Sequence, residues 1–353
     1  MAESTVSQPA LRPSRNLAGI ICIVVGMWLF VGQDVAMKDL LTRYTLWMLI
    51  SARAIMAVLI LVPLIIILGR PHRLLTPLWP LHFARALMFA FGFSLFYTAF
   101  PFMGLAEVTT LFFSAPLMTA VIAALFLGEH VGPQRIACLI IGFIGVVIAM
   151  NPTGDTFQWI AILPLICALS YAISQVIARQ IGERETTLTL GLYTVAFSGL
   201  FMMPMGYLIN QVIDVGPEFS HIGWQWHVPA GDQLLILAAL GTNGMIGYML
   251  ISRAYQVANA SLVAPFDYSY LPFATLVAYL VFDEVPPTYT IVGMVLIIGS
   301  GLYLGYREVR QAEVGDAPVP TGEVSFLPGA PVGAVVHAAD TQNFPPDDED
   351  AAD

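Results

Sequence analysis

The feature that most constrains this chain is a doubled segment. Residues 106–133 read AEVTTLFFSAPLMTAVIAALFLGEHVGP, and residues 258–287 read ANASLVAPFDYSYLPFATLVAYLVFDEVPP. Each is an apolar stretch of helix length with a proline near its middle (Pro116, Pro272), closed by a glutamate (Glu129, Glu284) and a further proline. Each then enters a shorter apolar helix containing glycine, IACLIIGFIGVVIAM or IVGMVLIIGSGLYLGY. Upstream the match is weaker but keeps a constant offset: residues 34–38 (DVAMK) align with residues 175–179 (QVIAR), 141 positions later. A chain built twice, at about half its length per copy, is restricted to folds in which two similar halves pack on each other.

The halves are made for lipid. Hydrophobic residues reach 58% and charged residues only 11%, with a mean hydropathy of +0.77, whereas soluble domains carry about 25% charge. The formal charge of −10 over 353 residues is local, because residues 311–353 hold nine acids and no Lys or Arg. That acidic tail, rich in Pro, Gly and Ala, buries too little apolar surface to offset its ordering entropy and is expected to be disordered. Residues 1–16 are expected to be a polar cytoplasmic tail, followed by an uncleaved first membrane helix. Cys22, Cys138 and Cys167 all fall in apolar runs without a close pair, which indicates small core residues and neither metal nor disulfide chemistry.

A bilayer core of roughly 30 Å needs about 20 apolar helical residues. Windows of about that length occur at 17–37, 45–68, 80–102, 106–127, 135–150, 159–178, 188–209, 234–254, 260–282 and 291–306. The expected fold is therefore an all-α integral membrane protein of ten transmembrane helices, with one repeat in residues 17–150 and the other in 151–310. If the N-terminus is cytoplasmic, ten arginines (12, 15, 70, 73, 135, 179, 184, 253, 307 and 310) are inside and only Lys38 and Arg43 outside. This bias places both termini in the cytoplasm. Five spans per half then make the second half cross in the opposite sense, an inverted repeat of the kind that recurs in secondary transporters. Gly145 with Ala149, and Gly301 with Gly305, give spans five and ten small-residue spacings suited to close helix approach, within a scaffold or across a homodimer.

The ten spans, the doubled halves, the LGE and FDE endings of spans four and nine before proline, and the basic residues after spans one and six resemble the EamA-type branch of the drug/metabolite transporter superfamily. The resemblance covers about residues 17–306. It implies an inner-membrane carrier with a central cavity lined by spans one, three, four, six, eight and nine. It also implies a substrate among amino acids, S-adenosylmethionine, nucleotide-like metabolites or drugs.

Ionisable groups inside a span are costly and so are candidates for function. Asp267 lies about 10 Å into span nine, beside Tyr268 and between Pro265 and Pro272, and is a candidate both for substrate binding and for a proton relay. Arg85 either reaches a substrate carboxylate or phosphate from span three or extends to the interface; Arg53 sits on a span that the resemblance places off the cavity. Asp34 is a further substrate-binding candidate, although it and Lys38, four residues apart, also suit a helix-end ion pair. Gln175 and Asn243 are polar groups on cavity-side spans, suited to substrate or to interhelical hydrogen bonds. Glu107 is a second relay candidate, or a carboxylate at a helix N-terminus; Glu129 and Glu284 read as helix-boundary residues.

These observations favour a secondary transporter of a small metabolite, with proton coupling among its options and no cofactor or nucleic-acid partner. The chain contains no P-loop for a primary pump and no HExxH for a membrane metalloprotease. A membrane enzyme, a channel or a scaffold are the alternatives.

Overall fold

The computed structural model describes residues 13–126, 133–152, 158–182, 184–212, 216–224, 231–258 and 260–314. Glu129 and the acidic tail beyond Val314 lie outside the described residues. Helices run over α1 (Pro13–Leu40), α2 (Leu46–Leu68), α3 (Trp79–Thr98), α4 (Leu105–Phe112), α5 (Ala115–Phe126) and α6 (Pro133–Met150) in the first half. The second half holds α7 (Ile162–Gly182), α8 (Thr187–Val212), α9 (Asp232–Val257), α10 (Ala260–Val263), α11 (Tyr270–Phe282) and α12 (Thr288–Val314). Among the described residues nine stretches are long and apolar enough to cross a bilayer, α4 and α5 together forming one of them. The tenth expected window, span nine, is divided between α10, a 3-10 stretch (Ala264–Ser269) and α11. Lipid offers a backbone no hydrogen-bond partner, so helices satisfy every amide internally. The last helix continues four residues past the expected start of the tail at 311.

Packing obeys the repeat. The most extensive contacts are α1 on α9, α6 on α12, α3 on α7 and α2 on α8. Spans one and six are repeat mates, as are three and eight, so α1/α9 and α3/α7 are the same contact between the halves, made twice. The α2/α8 and α6/α12 contacts join equivalent spans across a pseudo-two-fold axis. Glycine permits the closest of these approaches: a Cβ at Gly293 would stand 2.5 Å from the Gly145 carbonyl and 2.6 Å from the Ala149 Cβ. The small-residue spacing of span five is thus occupied by α12 of the same chain, and Gly301 is occupied by the Tyr268 ring, while Gly305 meets nothing within 4 Å.

Spans four and nine are both interrupted, and at equivalent points. Pro116 falls in the first turn of α5 and Pro272 in the first turn of α11, where a missing N–H costs no intrahelical bond. The serine just before each helix turns back on the preceding turn: Ser114 Oγ donates to the Leu111 carbonyl at 2.7 Å and Ser269 Oγ to the Phe266 carbonyl at 2.6 Å. The two breaks face each other in the middle of the bundle, where the Phe113 ring lies 5.8 Å from Tyr268 and 5.6 Å from Tyr270. Phe93, Phe96, Phe112 and Tyr171 fill the space around them, with Phe93 edge to face on Phe96 and Tyr171, Phe96 edge to face on Phe112, and Phe112 tilted against Tyr171.

Candidate functional site

Asp34 sits two turns before the end of α1 and is wholly buried. Both of its oxygens are occupied. Tyr97 at the end of α3 donates its hydroxyl to Oδ1 at 3.0 Å, and Tyr270, the first residue of α11, donates to Oδ2 at 2.5 Å. Arg53 of α2 donates Nη1 to the Tyr97 Oη at 2.9 Å and rests on that ring, 5.7 Å from its centroid. An isolated carboxylate in such a place would cost several kcal/mol. Here two phenols solvate it, and a guanidinium supplies the opposite charge through one of them. Four helices from both halves meet on one carboxylate, and Tyr270 reaches it because the break in span nine puts the start of α11 there.

The expected helix-end pair between Asp34 and Lys38 is not formed. Side chains four apart share a helix face, but Asp34 points into the bundle toward the two phenols and Lys38 reaches past it to Glu284. Lys38 Nζ pairs with Glu284 and donates to the Met103 carbonyl at 2.8 Å. The other Glu284 oxygen accepts the Leu105 N–H at 2.9 Å. Glu284 is therefore more than a helix boundary: it fastens the end of α11 to the end of α1 and the start of α4. Glu107 Oε2 accepts the Gly104 N–H at 3.4 Å, the capping role its position suggests. Lys38, Glu107 and Glu284 together line a recess of about 340 Å³ at this end of the bundle.

On the other flank of Tyr97 is a cavity of about 50 Å³, lined by Gln33, Arg53, Phe89, Phe93, Tyr97 and Ser198 among others. That is room for a few waters, far below the roughly 300–1,000 Å³ of a metabolite pocket. The conformation is closed around its centre.

The remaining expected residues lie elsewhere. Arg85 is fully buried; it neither lines this cavity nor reaches an interface, but donates Nε to the Ser174 carbonyl at 3.2 Å and pairs with Thr194 Oγ1. Gln175 is buried next to it, its Oε1 without a hydrogen-bond partner. Asp267 accepts the Tyr255 hydroxyl at 2.8 Å within its own half, and Tyr268 packs on Gly301. Asn243 donates to the Leu29 carbonyl at 2.7 Å, an interhelical bond between α9 and α1. Among the described residues no group of three or more His, Cys, Asp or Glu side chains is placed to hold a metal.

Three groups at the centre are not marked as a site by the sequence. Arg53 is legible as a buried charge, but on a span that the resemblance places off the cavity. Gln33 and Tyr97 are hidden in apolar runs, while Tyr270 reads from the sequence as an aromatic neighbour of Asp267 in a pocket wall. Their signal is that a phenol deep in a span must find a hydrogen-bond partner, and Asp34 was the acidic residue at matching depth.

Comparison with known proteins supplies the remaining observations. The model of the EamA-like transporter family matches residues 17–151 and again 158–306. An S-adenosylmethionine uptake transporter of Rickettsia felis is 25% identical over 294 residues, 83% of this chain and 94% of that protein. A riboflavin transporter of Rhizobium johnstonii is 28% identical over 232 residues, 65% of this chain and 71% of its own. A riboflavin transporter of Vibrio cholerae is 26% identical over 72% of this chain and 81% of its own. A solved crystal structure superposes with a TM-score of 0.54 at 18% identity, covering 86% of this chain and 99% of that one, which shows a shared fold.

Proposed function

This chain belongs to the EamA-like transporter family, and from that premise we propose that it is a secondary transporter carrying a small metabolite across the inner membrane by alternating access. The observation that carries this reading is the meeting of two interrupted spans, one from each half, beside a buried carboxylate and a water-sized cavity. Discontinuous helices at a repeat interface are where such carriers hold substrate. The halves need to part for a metabolite to enter, and the Lys38–Glu284 pair is what holds them together at one end. The distribution of basic residues supports that end lying outside and both termini in the cytoplasm.

The named relatives narrow the substrate. S-adenosylmethionine and riboflavin share a flat nitrogen heterocycle on a hydroxylated five-carbon unit, a ribose ring in one and an open ribityl chain in the other. The ring-lined interior here, with Phe89, Phe93 and Tyr97 on the cavity, suits such a plane by stacking. The test is uptake of labelled S-adenosylmethionine and riboflavin into proteoliposomes. Saturable uptake of one, competed by the unlabelled compound and absent from empty vesicles, is the expected result; rates equal to empty vesicles for both remove this substrate class.

A further inference from the structure

Asp34 lies between two spaces that admit water. One helical turn along α1 is Lys38, on the wall of the 340 Å³ recess. On the other side Tyr97, whose hydroxyl it accepts, is part of the wall of the 50 Å³ cavity. The groups that bond to it directly or through one partner come from three other helices: Tyr97 from α3, Tyr270 from α11, and Arg53 from α2 through Tyr97. Gln33 and Lys38 flank it on α1 itself.

The hydrogen bonds also say which cation the centre takes. Both carboxylate oxygens are approached by O–H donors, an arrangement that leaves no cage of oxygen lone pairs for sodium. A proton fits without rearranging heavy atoms. Tyr97 is committed as a donor, since its oxygen already accepts Arg53. Tyr270 has no such tie, and its hydroxyl can rotate from donor to acceptor to receive a carboxyl O–H on Oδ2. Protonation thereby alters the bond between α1 and α11, the one that joins the halves at the break of span nine.

We propose that Asp34 is the coupling site, a carboxylate that takes up and gives back one proton per cycle, exchanging it with the recess in one conformation and the cavity in the other. This rests on the transport reading above and adds the coupling ion to it. Asp267 accepts the hydroxyl of Tyr255, a residue of its own half.

Two measurements separate this from its premise. Difference infrared spectroscopy of the purified protein between acid and alkaline buffer reads buried carboxyl groups without any substrate. A pH-dependent carboxylic C=O band is expected that disappears in Asp34→Asn, persists in Asp267→Asn, and moves its midpoint in Tyr270→Phe. A band unchanged in Asp34→Asn overturns the proposal, whatever is transported. In proteoliposomes in which the wild type exchanges labelled for unlabelled S-adenosylmethionine or riboflavin, Asp34→Asn should lose accumulation driven by an imposed pH gradient, and Asp34→Glu should restore part of it. Gradient-driven accumulation that survives in Asp34→Asn also overturns it. Absence of exchange in the wild type counts against the substrate class and leaves the infrared result to decide the coupling site. Elution of each variant as a monodisperse peak excludes loss of folding.

Discussion

Lys38 and Glu284 show how much one pair of side chains can hold. Their side chains are only 12% and 27% exposed, so the pair stands between a surface ion pair worth little and a buried one whose halving costs several kcal/mol. Lys38→Met, which leaves Glu284 half-buried without its cation, is expected to cost about 1–2 kcal/mol and to lower the melting temperature in detergent. Wild-type melting would show that the pair contributes nothing to the closed form. His221, in the 3-10 turn Pro217–Ile222, gives a second, pH-dependent reading. Burial holds its pKa below the ordinary 6.5, partly offset by its bond to the Thr98 carbonyl. As pH falls below about 6.5 the unfolded chain takes up that proton before the folded one, so the contribution to stability is full above that value and declines beneath it. Melting temperature should therefore drop on acidification, and less steeply in His221→Gln. Residues of this kind were the least legible from sequence. Asp34 stood out as a buried charge, but a linear string suggests Lys38 as its partner and cannot show that Tyr97 and Tyr270, 63 and 236 residues away, converge on it.

At the scale of helices the sequence was far more transparent, because length and hydropathy settle what spans a bilayer; proline alone does not settle where a span is interrupted, since Pro63 and Pro204 lie inside the continuous α2 and α8. Pro116 and Pro272 marked the breaks; Ser114 and Ser269, which turn back onto the preceding carbonyls, carried no comparable signal, since serine is common in membrane helices for many reasons. Small-residue spacing was legible as close packing but not as to partner: Gly145 and Ala149 meet Gly293 of the same chain, and nothing local distinguishes that from a contact with a second copy. A side chain at Gly293 has no room, so Gly293→Val is expected to destabilise by about 1–3 kcal/mol through overpacking. Gly305→Ala, with open space around it, should be neutral or slightly stabilising by helix propensity. Equal melting temperatures for the two variants would mean that α6 and α12 part easily.

The molecule as a whole is closed at the Lys38 end, and alternating access requires that closure to be reversible. With the three native cysteines replaced, joining Lys38→Cys to Glu284→Cys by a cleavable thiol cross-linker should arrest uptake of S-adenosylmethionine or riboflavin, and cleavage should restore it. Uptake that continues under the cross-link would place the moving parts elsewhere. Orientation has its own check: a reporter fused after Val314 is expected to signal cytoplasm. The overall plan was readable before any coordinates because duplication leaves its trace in two places at once, the doubled proline-to-glutamate segment and the constant offset of residues 34–38. That offset also sets Asp34 against Gln175, and the two environments have diverged, one a carboxylate solvated by phenols from both halves, the other an amide with an unsatisfied oxygen. Two identical inverted halves would present the same group twice, once toward each face of the membrane. Here one half presents an acid and the other an amide, so the two faces of the molecule are not interchangeable.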